Sequence, residues 1–110
     1  MTPYHPFDAT DPDQVDARAE DQRRADQLAE ADLKELMASL AGRRLMWALL
    51  ERCGVFRTTF TPSRPDPLMT AFLEGQRTIG LDYLHKLHRL CPDQYLAMLT
   101  DRLAEDAAKT

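Results

Sequence analysis

The residues whose types and spacing could do chemistry are His85, His88 and Cys91, with Cys53 as a distant fourth. Two histidines and two thiols make a tetrahedral zinc set when they converge. On a helix, however, His85, His88 and Cys91 span about a third of the circumference. His85 lies almost opposite the apolar stripe of its own segment, whereas Cys91 sits beside it. The spacing therefore reads as two surface histidines next to a core thiol, and no metal is expected. The chain has no glycine-rich phosphate loop, no His-Glu-x-x-His and no serine in a strained turn. Its carboxylates lie mainly on solvated faces. No catalytic residue, cofactor or enzymatic activity is expected.

A second constellation points to contact. Arg43, Arg44, Arg52, Arg57, Arg64 and Arg77 accompany the single tryptophan, Trp47. Arginines meeting phosphates beside a stacking aromatic could form a nucleic-acid surface between Arg43 and Arg64. The competing use is salt bridging to the chain's own acids, with cation–π or packing contacts on Trp47. A net charge of −4 opposes nucleic acid outside a local patch. Trp47 falls on the flank of its helix. It serves either a core layer with Leu36 and Leu40 or an interface, where tryptophan and arginine are favoured anchors. Near the start of the chain, Tyr4, His5, Pro6 and Phe7 form a short aromatic plug on a polar arm. The partner-binding candidates are thus Tyr4, Phe7, Arg43, Arg44, Trp47 and Arg57.

The elements that must position these residues are helical. Few β-branched residues and many Ala, Leu, Arg and Glu favour helix over strand, and 110 residues suffice for one domain. Charge is polarised along the chain. Residues 1–32 carry nine acids against three arginines, residues 33–64 six bases against two acids, and residues 65–110 five bases against seven acids. No apolar run of about 18 residues exists, so no membrane span is expected. The first residues lack the features of a signal peptide. Two cysteines without such a signal suggest reduced thiols rather than a Cys53–Cys91 disulfide.

Residues 1–10 should be extended. Asp11-Pro12 is a helix start, with aspartate as N-cap and proline at the first helical position. The helix that follows, from Val15 to Ala31, is polar nearly all round, the mark of a solvent-facing or docked helix. Leu33, Leu36, Met37 and Leu40 form one stripe; Leu45, Met46, Leu49, Leu50 and Cys53 form another, pointing more than about 100° away. A break at Ala41-Gly42 is therefore expected. The second helix should end at Gly54, with Val55 in apolar contact beyond it. A loop over residues 55–66 should anchor Phe56 and Phe60 in the core. Asp66-Pro67 opens a helix to about Leu90 whose inner face would carry Phe72, Gly75, Ile79, Gly80, Tyr83, Leu87 and Leu90. The two glycines suggest close approach of another backbone. Cys91-Pro92-Asp93 opens the last helix, with Tyr95, Leu96, Leu99 and Leu103 on one face. The expectation is an all-α fold: a small bundle of about four to five helices (residues 32–110) preceded by an acidic N-terminal arm (residues 1–31), extended and then helical.

The segments GRRLMWALLERCGVFRTTF (residues 42–60), TAFLEGQRTIGLDYL (70–84) and CPDQYLAML (91–99) add a further reading. Their order of glycines, arginines and tryptophan resembles a family of small phage proteins. The family occurs in short-tailed phages and prophages, among them the Bordetella tropism-switching phage. The likeness runs from about Leu33 to Leu103 and leaves the arm outside it. It implies a gene near those for portal and head proteins, and a virion-structural role without catalytic residues. The implied partners are portal or head–tail components, met by repeated copies in a symmetric assembly. The implied places are the virion and, during assembly, the bacterial host cytoplasm. A transient assembly or packaging factor and a small DNA-binding accessory are the alternatives.

Overall fold

In the computed structural model, residues 6–58, 63 and 65–109 are described. They form four helices and, among the described residues, no strand: α1 (Pro12–Met37), α2 (Leu40–Arg52), α3 (Pro67–Leu90) and α4 (Pro92–Ala108). The expected all-α helical bundle is what the chain adopts. It divides into two compact units, Met1–Leu33 and Lys34–Thr110, with the boundary inside α1.

The start signals operate as read. Asp11 accepts the Asp13 amide at 3.0 Å, and α1 begins at Pro12. Asp66 accepts the Met69 amide at 3.1 Å ahead of Pro67. Cys91 both ends α3 and precedes α4, whose first residue is Pro92. In the first unit, residues 8–11 are not extended, as expected, but turned. The Asp8 carboxylate accepts the Thr10 amide and hydroxyl, and the Asp11 amide donates to the Asp8 carbonyl. Those hydrogen bonds from Thr10 hold the Asp8 carboxyl below its usual value. Phe7 lies under the Arg18 guanidinium, 4.3 Å from ring centroid to Cζ. Tyr4 and Phe60 lie outside the described residues.

The break between the two Leu-rich stripes falls at Ala38-Ser39, three residues earlier than Ala41-Gly42. Ser39 is the reason. Its hydroxyl caps α2 by accepting the Gly42 amide at 3.0 Å, so the new helix starts before the glycine rather than at it. The other end of α2 closes as expected at Gly54, with φ of +73°. The Gly54 amide donates to the Glu51 carbonyl and the Val55 amide to the Leu50 carbonyl, the paired bonds of a Schellman motif. Val55 is buried behind it.

The second unit is built from the end of α1 with α2, α3 and α4, the last three each touching the other two. Its core is small: Met37, Met46, Leu50, Val55, Leu87, Cys91 and Met98. Several expected core positions are exposed. On α2 only Met46 and Leu50 of the stripe are buried, while Leu45 and Leu49 face solvent. On α3 the buried positions are Gly80 and Leu87, while Phe72 and Ile79 lie outside. On α4 the buried side chain is Met98, and Leu96 and Leu103 are exposed. Phe56 is half-exposed rather than an anchor in the core. The apolar stripes are wider than the contact each helix makes, so periodicity alone placed the centre of each face wrongly.

Gly80 marks a close approach of α3 to the end of α2. A Cβ built there would stand 2.6 Å from the Cys53 Cβ and would also strike Val55, so α3 crosses the end of α2 where no side chain fits. The expected close approach therefore holds for Gly80, but no neighbouring atom crowds Gly75. Both thiols are free, Cys91 buried and Cys53 partly so. Burial pushes the Cys91 thiol above its ordinary value, with the Lys34 charge opposing.

Two outcomes follow. Gly80→Ala should destabilise the protein by about 1–3 kcal/mol through overpacking, read by urea unfolding. At pH 8, a maleimide should label Cys53 well before Cys91 in the native protein and both alike in urea. Because the folded state holds the Cys91 proton more tightly than the unfolded chain, this thiol's stabilising contribution should decline as pH rises above its unfolded value.

Candidate functional site

The C-terminal half of α2 and the turn after it carry the site. The Schellman closure at Gly54 reverses the chain, and Phe56 comes back over the face of α2. There it stacks on Trp47, with ring centroids 5.1 Å apart and planes 22° from parallel. One turn beyond Trp47 on the same helix, the Glu51 carboxylate accepts the indole Nε1–H at 2.7 Å. Arg57 reaches back to donate at 3.1 Å to the Glu51 backbone carbonyl, which also accepts the Gly54 amide. Trp47, Ala48, Glu51, Arg52, Phe56 and Arg57 line an open groove here.

Helix α4 meets Trp47 in a second groove, which Arg43, Arg44, Met98, Asp101 and Arg102 help to line. Arg102 places its guanidinium 5.8 Å from the Trp47 ring centroid, within cation–π range. The same group stands 3.5 Å from Asp106, 3.8 Å from Glu105 and 3.9 Å from Glu51. Trp47 is thus held by a stack, a hydrogen bond and a cation, and it remains partly exposed. An anchor immobilised in the free protein loses little conformational entropy on contact with a partner.

Arg43 and Arg44 are turned toward α4. Arg43 Nε donates to Asp101 at 2.6 Å, and another of its nitrogens donates to the Met37 carbonyl at 3.1 Å. This pair is largely shielded, with side chains 17% and 24% exposed. Arg44 Nε donates to Glu105 at 2.6 Å in a more open position. Two arginines that read as surface charge therefore tie α2 to α4, leaving Arg52 and Arg57 as the basic residues of the aromatic groove.

Of the six residues singled out from sequence, the structure gathers Arg43, Arg44, Trp47 and Arg57 along one side of α2 and its end. Phe7 lies in the first unit against Arg18. Tyr4 is outside the described residues, as is Arg64. Sequence reasoning missed Phe56 as the partner of Trp47, and it missed Glu51 and Arg102. The spacing of Trp47 to Glu51 carries a local signal, four residues on one helix face. The Phe56 and Arg102 contacts carry none, because they depend on chain reversal and on helix packing.

Among the described residues, no three or more His, Cys, Asp or Glu side chains gather as a metal site. His88 instead packs edge-on against Tyr95, centroids 4.5 Å apart. What the groove offers is a rigid aromatic surface bordered by guanidinium groups.

The two arginine ties should differ in weight. Arg43→Ala is expected to lower stability by about 1.5–3 kcal/mol, the range for hydrogen bonds to charged groups, as it strips shielded partners on two elements. Arg44→Ala should change it by less than about 1 kcal/mol, as exposed ion pairs do. Chemical denaturation followed by circular dichroism reads both.

No curated protein and no solved structure matches the chain significantly. The family described as Bbp19-like phage protein matches residues 33–100, which take in all of α2 and α3 and more than half of the sequence. With the order of motifs noted above and an all-α fold, this match places the chain in a family of phage proteins: it belongs to the Bbp19-like family.

Proposed function

We propose that this phage protein is a non-enzymatic structural component of the virion. In this reading it docks on a larger symmetric assembly, at the portal or the head–tail junction. The observation that carries it is the braced, half-open Trp47–Phe56 stack beside Arg52 and Arg57. Aromatic and arginine side chains held in place on a rigid scaffold are what interface hot spots are made of. Membership in a phage family supports a place among phage components. Docking would bury the stack against an apolar patch of the partner while acids at its rim meet the two guanidinium groups. Repeated copies are expected because such assemblies are symmetric. The polar N-terminal segment would order further against the same partner, at a conformational cost that the interface must offset.

The reading competes with a transient assembly or packaging factor, and with a DNA-binding accessory. The ion pairs of Arg43 and Arg44 with Asp101 and Glu105 speak against the second, since phosphate contact through these groups would first require breaking them. No described helix is long and apolar enough to cross a membrane.

Mass spectrometry of purified particles tests the proposal. The protein should be present at a fixed copy number per particle. A Trp47→Ala, Phe56→Ala double variant, supplied in place of the natural protein and folded by circular dichroism, should be depleted from particles at least about tenfold, the effect of losing a hot spot worth more than 1.4 kcal/mol. Absence of the natural protein from mature particles would replace the structural reading with that of a transient factor.

A further inference from the structure

A second surface lies apart from the Trp47 groove. Leu68, Phe72, Gly75, Ile79, Tyr83 and Lys86 fall within about 80° of the circumference of α3, at ~100° per residue. This strip is roughly a quarter-turn from the buried Gly80 and Leu87. Its side chains are open: Leu68 is 85% exposed, Phe72 61% and Ile79 58%. A contiguous apolar strip of this kind marks a contact surface. Gly75, in its middle, has nothing within 4 Å of a Cβ position. A glycine inside a helix costs about 1 kcal/mol relative to alanine, and no packing among the described residues accounts for it.

The strip is self-complementary. Its large side chains lie at equal distances on either side of a point between Gly75 and Gln76, Phe72 opposite Ile79 and Leu68 opposite Tyr83. We infer that α3 pairs with α3 of a second copy of this chain, antiparallel, across a two-fold axis at Gly75–Gln76. An isologous contact requires that each residue meet its counterpart about such a point, and these residues do so without a frameshift. Gly75 sits at the crossing, where the absence of a side chain lets the two helices approach.

Charge fits the same register. The charged residues on the strip and its edge are Asp82 and Lys86. Neither meets a like charge: Asp82 falls opposite Met69 of the partner subunit, and Lys86 falls opposite Pro65 of the partner subunit. Lys86 now rests 5.3 Å from the ring centroid of its own Tyr83, within reach of the rim. Covering the strip and its flanks would remove on the order of 600 Å² per protomer, about 1,200 Å² in total, the lower bound of specific interfaces. That area suits a concentration-dependent dimer, and it leaves the Trp47 groove free for another partner.

Sedimentation equilibrium of the full chain tests the inference. A reversible dimer is expected. Phe72→Glu and Ile79→Glu should each raise its dissociation constant at least about a hundredfold with helical content unchanged. Trp47→Ala and Leu96→Glu, on other faces, should leave it within about threefold. Gln76→Cys, beside the axis and with Gly75 kept, should give a homodimer band with a short bis-maleimide, where Thr100→Cys and the parent chain give none. A monomer throughout the micromolar to millimolar range overturns the proposal. So does a dimer that survives both glutamates, or one weakened by Leu96→Glu instead. If Gln76→Cys does not crosslink in a dimer that the glutamates dissolve, the antiparallel two-fold register is wrong and the inference fails. Because Trp47 is outside this contact, failure here leaves the docking reading standing, and the reverse also holds.

Discussion

The close approach of α3 to the end of α2 at Gly80 is the constraint on which the second unit depends. Any side chain at Gly80 would meet Cys53 and Val55. With the glycine there, the helix end, the Schellman turn and Val55 pack directly against α3. The turn is then held in the one conformation that returns Phe56 over Trp47. The functional surface thus rests on a contact that it does not itself contain. In a core of so few side chains, one misfitting methyl is felt throughout, because protein interiors are close-packed.

The arginine ties act in the same direction. Arg43 links α2 to Asp101 on α4 and to the last carbonyl of α1, so three elements meet at one guanidinium. Its planar fork suits this better than a lysine would. Arg102 then performs the complementary task from α4, setting its cation over Trp47 while its nitrogens face three carboxylates. Basic residues that look like a binding patch in the sequence are divided between scaffold and surface.

A bundle whose helices keep Leu45, Phe72, Ile79, Leu96 and Leu103 in solvent has more apolar surface than its own core uses. Single exposed leucines are ordinary. A self-complementary strip with an unexplained glycine, and a locked aromatic stack on another helix, are not single leucines. Both features fit the proposed contacts, one with a second copy of the chain and one with a different protein.

Much of this was legible in the sequence, and for local reasons. Asp11-Pro12, Asp66-Pro67 and Cys91-Pro92 mark helix starts because proline suits the first helical position. Gly54 marks the end of α2 because a left-handed residue is needed there. These choices depend on atoms a few positions apart, so the chain alone settles them, and the family's order of motifs could be read for the same reason. The break at Ser39 was misplaced by three residues because a serine cap competed with a glycine. What the tertiary structure decided is which part of each broad apolar stripe is covered. It also decided that Arg43 and Arg44 face Asp101 and Glu105, some sixty residues away, and that Phe56, Glu51 and Arg102 surround Trp47. Those outcomes follow from how far each helix is rotated and how closely it is approached. Such quantities depend on every packed neighbour at once, and no local spacing encodes them.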